Sequence, residues 1–295
     1  MKKILIRVDS SSSIGLGHLT RTLVLAKKYQ NYEVLFASRD LNLNANYKII
    51  EAGYELIILK DNSIKELSKE VNEQNIYKLI IDSYEIDYKY EKKLKSLILC
   101  KLMVLDDTYE RHYCDILLNH NIYANEKRYK RLVPHFCKVL CGNKYTLIRE
   151  EFKKKYPQFY TKDFIFFVCL GGSDTYNTSL EIIKVLNKYS YKIKLITSSS
   201  NNNIKFLKRY CFLNKNIELI IDCENMAEQM NLSSFAIISP SVILYEVKSM
   251  KLPFLAIKTA INQEEMSLYL ERNGFNIMKS FTKNKFRYEI KKVLL

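Results

Sequence analysis

The chain has 295 residues, 47% of them hydrophobic and 12% aromatic, which excludes a disordered chain and suits two domains better than one. Its net charge is +15, from 47 Lys and Arg against 32 Asp and Glu. The lysines are scattered and interleaved with Glu, as in "SIKELSKEVNEQ", so we expect a solvated basic surface that attracts acidic small molecules and no nucleic-acid binding.

The opening "MKKILIRVD" reads as a strand, and Arg7 and Asp9 interrupt its apolar run too early for a signal peptide. A loop of four serines and "GLGH" follows, then a helix, "HLTRTLVLAKKY", in which Leu19, Leu23, Ala26 and Tyr29 share a face. "EVLFAS", "ELIIL", "YKLIID", "KLMVLDD" and "DILLN" read as further strands, with a mixed segment and the amphipathic "SIKELSKEVNEQ" between them. A second series begins near Phe164 with "FIFFVCLGG" and continues through "YKIKLIT", "NIELIID", "FAIIS" and "PFLAI", separated by helices from about Asn177, through Phe206, and around Met226, Glu246 and Met266. This alternation predicts an α/β chain with two Rossmann-like, doubly wound halves. The joint is placed near Pro157, in "REEFKKKYPQFYTKD", giving domains 1–157 and 158–295. The basic tail after Phe281 reads as a docking helix. No run approaches the ~18 apolar residues of a membrane span, so no membrane insertion is expected. The seven cysteines form no Cys-x-x-Cys pair, which suits free thiols in a reducing cytoplasm.

Three strand-end loops carry chemistry. In the first, Gly15 and Gly17 allow a sharp turn and close approach of a ligand, and the helix start at about His18 favours an anion. A neutral imidazole there can take a proton from water, as a general base must; the residues alone equally admit a helix-capping histidine. The loop lacks the third glycine of the dinucleotide fingerprint and is no Walker loop, so neither a nicotinamide cofactor nor ATP is expected. In the second, "CLGGSDTYN", the backbone N–H groups of Gly172 and Ser173 can cradle a phosphate or simply form a capped turn. In the third, "ISPSVILYEV", Glu246 is expected on an exposed or cleft-facing side of its helix, where a carboxylate can accept both hydroxyls of a ribose; an ordinary solvent-facing glutamate fits as well. The adjacent Asp106 and Asp107 read as a turn at a strand end, and His112, His120 and His135 as surface or loop residues without metal-ligand spacing. No metal and no cofactor is expected.

Taken in order, "RVDSSSSIGLGHLTR", "LGGSDTYN", "IDCENMAEQM", "SPSVILYEV" and "INQEE" resemble the UDP-2,4-diacetamido-2,4,6-trideoxy-β-L-altropyranose hydrolases of bacterial pseudaminic acid synthesis, from the first strand to about Met278. The resemblance implies a glycosyltransferase B-type fold, two domains facing across a cleft, the second binding UDP. It implies a UDP-sugar substrate and attack of water at the anomeric carbon with inversion and loss of UDP. By position it makes His18 the base for water, Tyr84 an active-site tyrosine, and Asn262 an asparagine facing the leaving group and sugar. Met226 marks the uracil loop, Glu246 matches the ribose glutamate, and Gly172, Ser173, Ser241 and Val242 line the phosphates. Pro240 and Val242 depart from the small residue and the hydroxyl expected there. A transferase of the same fold, or a non-catalytic nucleotide-sugar binding protein, would use the same nucleotide site.

Overall fold

The computed structural model describes residues 1–157, 163–171, 174 and 176–294. The chain divides into two compact units, Met1–Leu147 and Ile148–Leu295. The division falls ahead of Pro157, because "IREEF" folds with the second unit. Phe152 is buried, and its carbonyl accepts a hydrogen bond of 2.8 Å from Ser249 Oγ.

The first unit runs β1 (Lys3–Val8), α1 (Gly17–Ala26), β2 (Glu33–Arg39), α2 (Tyr47–Glu51), β3 (Glu55–Leu59), α3 (Ile64–Glu73), β4 (Ile76–Asp82), α4 (Tyr88–Lys95), β5 (Lys101–Leu105), β6 (Ile116–Asn119) and β7 (Lys138–Cys141). Its seven strands lie in the order β3-β2-β1-β4-β5-β6-β7, all parallel. Side chains alternate across the sheet, so each strand feeds two cores. Leu5 joins Leu35, Leu79 and Leu102 on one face; Ile4, Ile6 and Val8 join Phe36, Ile80 and Met103 on the other. Burial on both faces explains the near-continuous apolar runs.

The second unit runs β8 (Ile165–Cys169), α5 (Thr178–Leu186), β9 (Lys192–Thr197), α6 (Ile204–Leu213), β10 (Ile217–Ile221), α7 (Met226–Asn231), β11 (Phe235–Ile238), α8 (Ile243–Ser249), β12 (Phe254–Ile257), α9 (Glu264–Arg272), β13 (Ile277–Met278) and α10 (Lys283–Leu294). Its parallel order is β10-β9-β8-β11-β12-β13. Numbered within its own unit, each sheet begins 3-2-1-4-5-6, the doubly wound order. Helix α10 closes the unit by burying Phe286 and Ile290 in the same core as Ile182 and Leu186. Among the described residues no helix is long and apolar enough to cross a membrane.

Three elements escape the periodicity reading. Strands β7 and β13 are short and only partly buried, and α4 ("YKYEKKLK") buries only Glu91 and Leu94. Helix α1 stops at Ala26, before the predicted Tyr29. In both sheets the direction of winding reverses at the first strand, between β1 and β4 and between β8 and β11. Ligands of open α/β sheets bind at the carboxyl ends of strands at this point.

Candidate active site

The loop after β1 is built from its own serines. Ser11 Oγ accepts from the amides of Ser13 (3.2 Å) and Ile14 (3.0 Å), and Gly15 N donates to Ser11 O at 2.8 Å. Gly15 has φ of 80°, a left-handed conformation that a side chain would strain. Gly17 opens α1, and a Cβ added there would meet no protein atom within 4 Å. The backbone is therefore bare and approachable on that side.

His18 sits in the first turn of α1 and is buried. Its Nδ1 lies 2.6 Å from Asp82 Oδ1, at the end of β4. The same Nδ1 lies 3.0 Å from Arg21 Nη2, which can only donate; the shorter contact, to a carboxylate that only accepts, assigns the ring proton to Nδ1 and leaves the lone pair on Nε2, which has no hydrogen-bond partner among the described residues. Arg21, one turn further along α1, clamps the same carboxylate through Nε to Oδ2 (2.6 Å) and Nη2 to Oδ1 (2.5 Å). Its Nη1 reaches Asp107 Oδ2, beyond β5, at 2.5 Å. Tyr84, in the loop after β4, donates its hydroxyl to Asp107 Oδ1 at 2.8 Å. Its ring stands edge-on to the His18 ring, centroids 4.5 Å apart. The residues His18, Arg21, Asp82, Tyr84 and Asp107 thus close one network at the carboxyl ends of three adjacent strands.

Burial alone would raise the Asp82 carboxyl, but the Arg21 guanidinium and then His18 outweigh it and hold Asp82 far below the usual carboxylate range. Burial would likewise lower Arg21, and Asp82 and Asp107 overcome it, raising Arg21 well above its ordinary value. One guanidinium thus faces two carboxylates, and both are hydrogen-bonded to it, as buried ions require.

The second unit assembles differently. Gly172 and Ser173 lie outside the described residues. Asp174 caps α5 with both oxygens, accepting from the amides of Thr178 (2.9 Å) and Ser179 (3.0 Å). After β11, Ser241 Oγ pairs with Ser239 Oγ at 3.0 Å, and the Ser241 amide is spent on Ser239 O at 2.9 Å, so the hydroxyl is what Ser241 can offer a ligand. Val242 immediately precedes α8. Met226 opens α7 and is buried. Asn262 is exposed in a short turn between β12 and α9.

Glu246 is not solvent-exposed, as one of the two expectations for it had it: it is 3% exposed, on a helix in which Ile243, Leu244, Tyr245 and Val247 are buried as well. Arg149 meets it with a two-pronged contact, Nε to Oε1 at 2.8 Å and Nη2 to Oε2 at 2.9 Å. Burial pushes the Glu246 carboxyl up, and Arg149 partly opposes that.

His112 and His120, read as surface or loop residues, both lie in loops but are buried. His112 lies between carboxylates, with Nδ1 2.7 Å from Glu91 Oε1 and Nε2 3.7 Å from Asp106 Oδ1. Burial would lower its pKa, but Asp106 and Glu91 push it up to about 10. His120 follows β6; burial, with Arg21 adding to it, pushes it down to about 3. Asp106 does form the expected strand-end turn, accepting from the amides of Thr108 (3.0 Å) and Tyr109 (2.9 Å), whereas Asp107 joins the His18 network. Asp82 and Arg21 are not among the sequence candidates, and Asp107 reads there only as part of a turn. Their available signal was an aspartate closing each of the apolar runs "KLIID" and "MVLDD", and an arginine one helical turn after His18. Among the described residues no group of three or more His, Cys, Asp or Glu is placed to hold a metal ion.

No protein-family model matches the chain. A curated protein of Campylobacter jejuni, named UDP-2,4-diacetamido-2,4,6-trideoxy-beta-L-altropyranose hydrolase, is 42% identical over 275 residues, spanning 93% of this chain and 98% of the relative. The chain belongs to this hydrolase family. Among solved structures, Acinetobacter baumannii MurG superposes with a TM-score of 0.61 at 11% identity, covering 100% of this chain and 91% of that one. The spinosyn rhamnosyltransferase SpnG, complexed with thymidine diphosphate, gives 0.62 at 10% identity, covering 100% and 92%. At these identities the likeness concerns the fold, two parallel-sheet α/β domains of glycosyltransferase B type. The hydrolase family and the glycosyltransferases thus share a scaffold.

Proposed function

We propose that this chain hydrolyses UDP-2,4-diacetamido-2,4,6-trideoxy-β-L-altropyranose, on the route to pseudaminic acid, with His18 as the base for water. The observation that carries the reading is the His18 ring itself: Nδ1 is held by Asp82 at 2.6 Å, and Nε2 is left as an acceptor, in the residue that follows the bare backbone of Gly17. The 42% identity to the Campylobacter hydrolase supplies the substrate.

In the step, a water oxygen bonds to the anomeric carbon while the bond from that carbon to the β-phosphate oxygen breaks. The bonding pair leaves with UDP, the water proton passes to His18 Nε2, and the anomeric centre inverts. Asp82 accepts the hydrogen bond from Nδ1–H throughout and stabilises the imidazolium as it forms. Arg21 keeps Asp82 ionised, so the acceptor is present before the proton moves. Tyr84 limits the tilt of the imidazole through its edge-on ring and is itself fixed by Asp107. Diphosphate is a good leaving group, so the demand falls on activating water and on neutralising the departing charge. In this reading Gly172, Ser173, Ser241 and Val242 face the phosphates, Glu246 the ribose, Met226 the uracil end, Asn262 the sugar, and Gly15 and Gly17 admit the substrate.

The test follows the substrate by proton and phosphorus NMR with purified protein and no acceptor. UDP and free sugar are expected at early times, and the His18→Asn protein is expected to bind UDP while turnover collapses. An intact substrate that is consumed only when an acceptor alcohol is added identifies a transferase instead.

A further inference from the structure

Arg149 lies in a stretch whose charges and proline read as a joint, yet all three of its guanidinium nitrogens are committed. Besides the two bonds to Glu246, Nη1 reaches Glu151 Oε1 at 2.9 Å. The other oxygen of that carboxylate, Oε2, accepts from the Ala227 amide at 3.0 Å, in the first turn of α7. The turn that follows Arg149 and carries Glu151, Glu150–Lys153, is anchored by the buried Phe152 and by Ser249 at the end of α8. One short segment therefore ties the Glu246 carboxylate to the start of α7, two features that the proposed UDP site assigns to ribose and uracil.

We propose that Arg149 is a positioning residue for the nucleoside half of the UDP site, orienting Glu246 toward the ribose hydroxyls and, through Glu151, holding the α7 turn beside it. The inference rests on the reading of Glu246 as the ribose contact. A carboxylate has about four lone-pair positions. The guanidinium fork takes one on each oxygen and leaves one on each, in a fixed plane, which is the arrangement a vicinal diol needs. A buried carboxylate without the fork is free to rotate and gains by protonating, and a protonated carboxyl accepts poorly. Burial does push Glu246 up, and Arg149 is the cation that opposes it. A lysine delivers a point charge without the fork.

The experiment measures the affinities of the full chain for UDP and for 2′-deoxy-UDP by calorimetry, in wild type, Glu246→Gln, Arg149→Gln and Arg149→Lys. Wild type is expected to favour UDP by about tenfold, the size of a hydrogen bond to a charged group. Both Gln variants are expected to bring that ratio to within about twofold of one, and Arg149→Lys to an intermediate value of about threefold, with KM for the sugar nucleotide rising more than kcat falls. If Glu246→Gln loses the discrimination and both Arg149 variants keep it, the positioning role is overturned and the ribose reading stands. If Glu246→Gln itself keeps the discrimination, the ribose reading fails and takes this inference with it. Should Arg149→Gln not fold, Arg149→Lys alone decides: a wild-type ratio in that variant overturns the inference.

Discussion

The two units share one winding order but spend their strand ends on different chemistry. All four histidines of the chain lie in the first unit, at positions 18, 112, 120 and 135. The helix after β1 has no side-chain cap, and its first turn presents an imidazole aligned by a carboxylate from β4. At the equivalent place after β8, Asp174 accepts from the first amides of the helix, and elsewhere in the unit Arg149 pairs with Glu246 on α8. An imidazole that keeps one ring nitrogen unbonded offers a site for a proton, whereas a guanidinium–carboxylate pair offers a fixed geometry for a ligand. The proposed function follows this contrast, giving proton transfer to the first unit and the nucleotide to the second.

The largest effects that sharpen this contrast fall on turnover. His18→Asn is expected to lower kcat by at least about 10²-fold, and Asp82→Asn, which lets the ring turn, by about 10²-fold, each with a smaller change in UDP affinity. A loss of UDP binding without loss of kcat would place these residues on the nucleotide side and break the division. Next comes a pH dependence confined to the first unit. His112 is raised from 6.5 to about 10 in the folded chain, so its contribution to stability is fully present below pH 6.5 and is lost as pH rises through about 10. The urea midpoint of wild type should fall across that window, and the gap to His112→Gln should narrow with it. A gap that is constant with pH would mean that His112 is not held as a cation. The smallest effect belongs to the second unit: Asp174→Ala removes the cap of α5 and is expected to cost about 1 kcal/mol, read from the same urea midpoints.

Local features were the legible ones. The loop from Ser10 to His18, the cap at Asp174 and nearly every strand of the two sheets can be read from runs of a few residues. The partners of His18 were hidden because Asp82 is distant in sequence and reaches it only when β4 pairs beside β1. Arg21 looks like any charge on an amphipathic helix until two buried aspartates converge on it. Arg149 was concealed for the opposite reason: lysines, glutamates and a proline around it have the composition of a linker, and only Phe152 marks the segment as anchored. Glu246 is buried where one reading had it exposed, since a carboxylate on an apolar helix suggests solvent until its arginine is known.

The most direct test of hydrolysis by a base in the first unit is the fate of the water oxygen. Turnover in oxygen-18 water, read by mass spectrometry, is expected to put the label on the anomeric hydroxyl of the free sugar and none on UDP. Label on the UDP phosphate, or no release of UDP without an acceptor, would contradict the account.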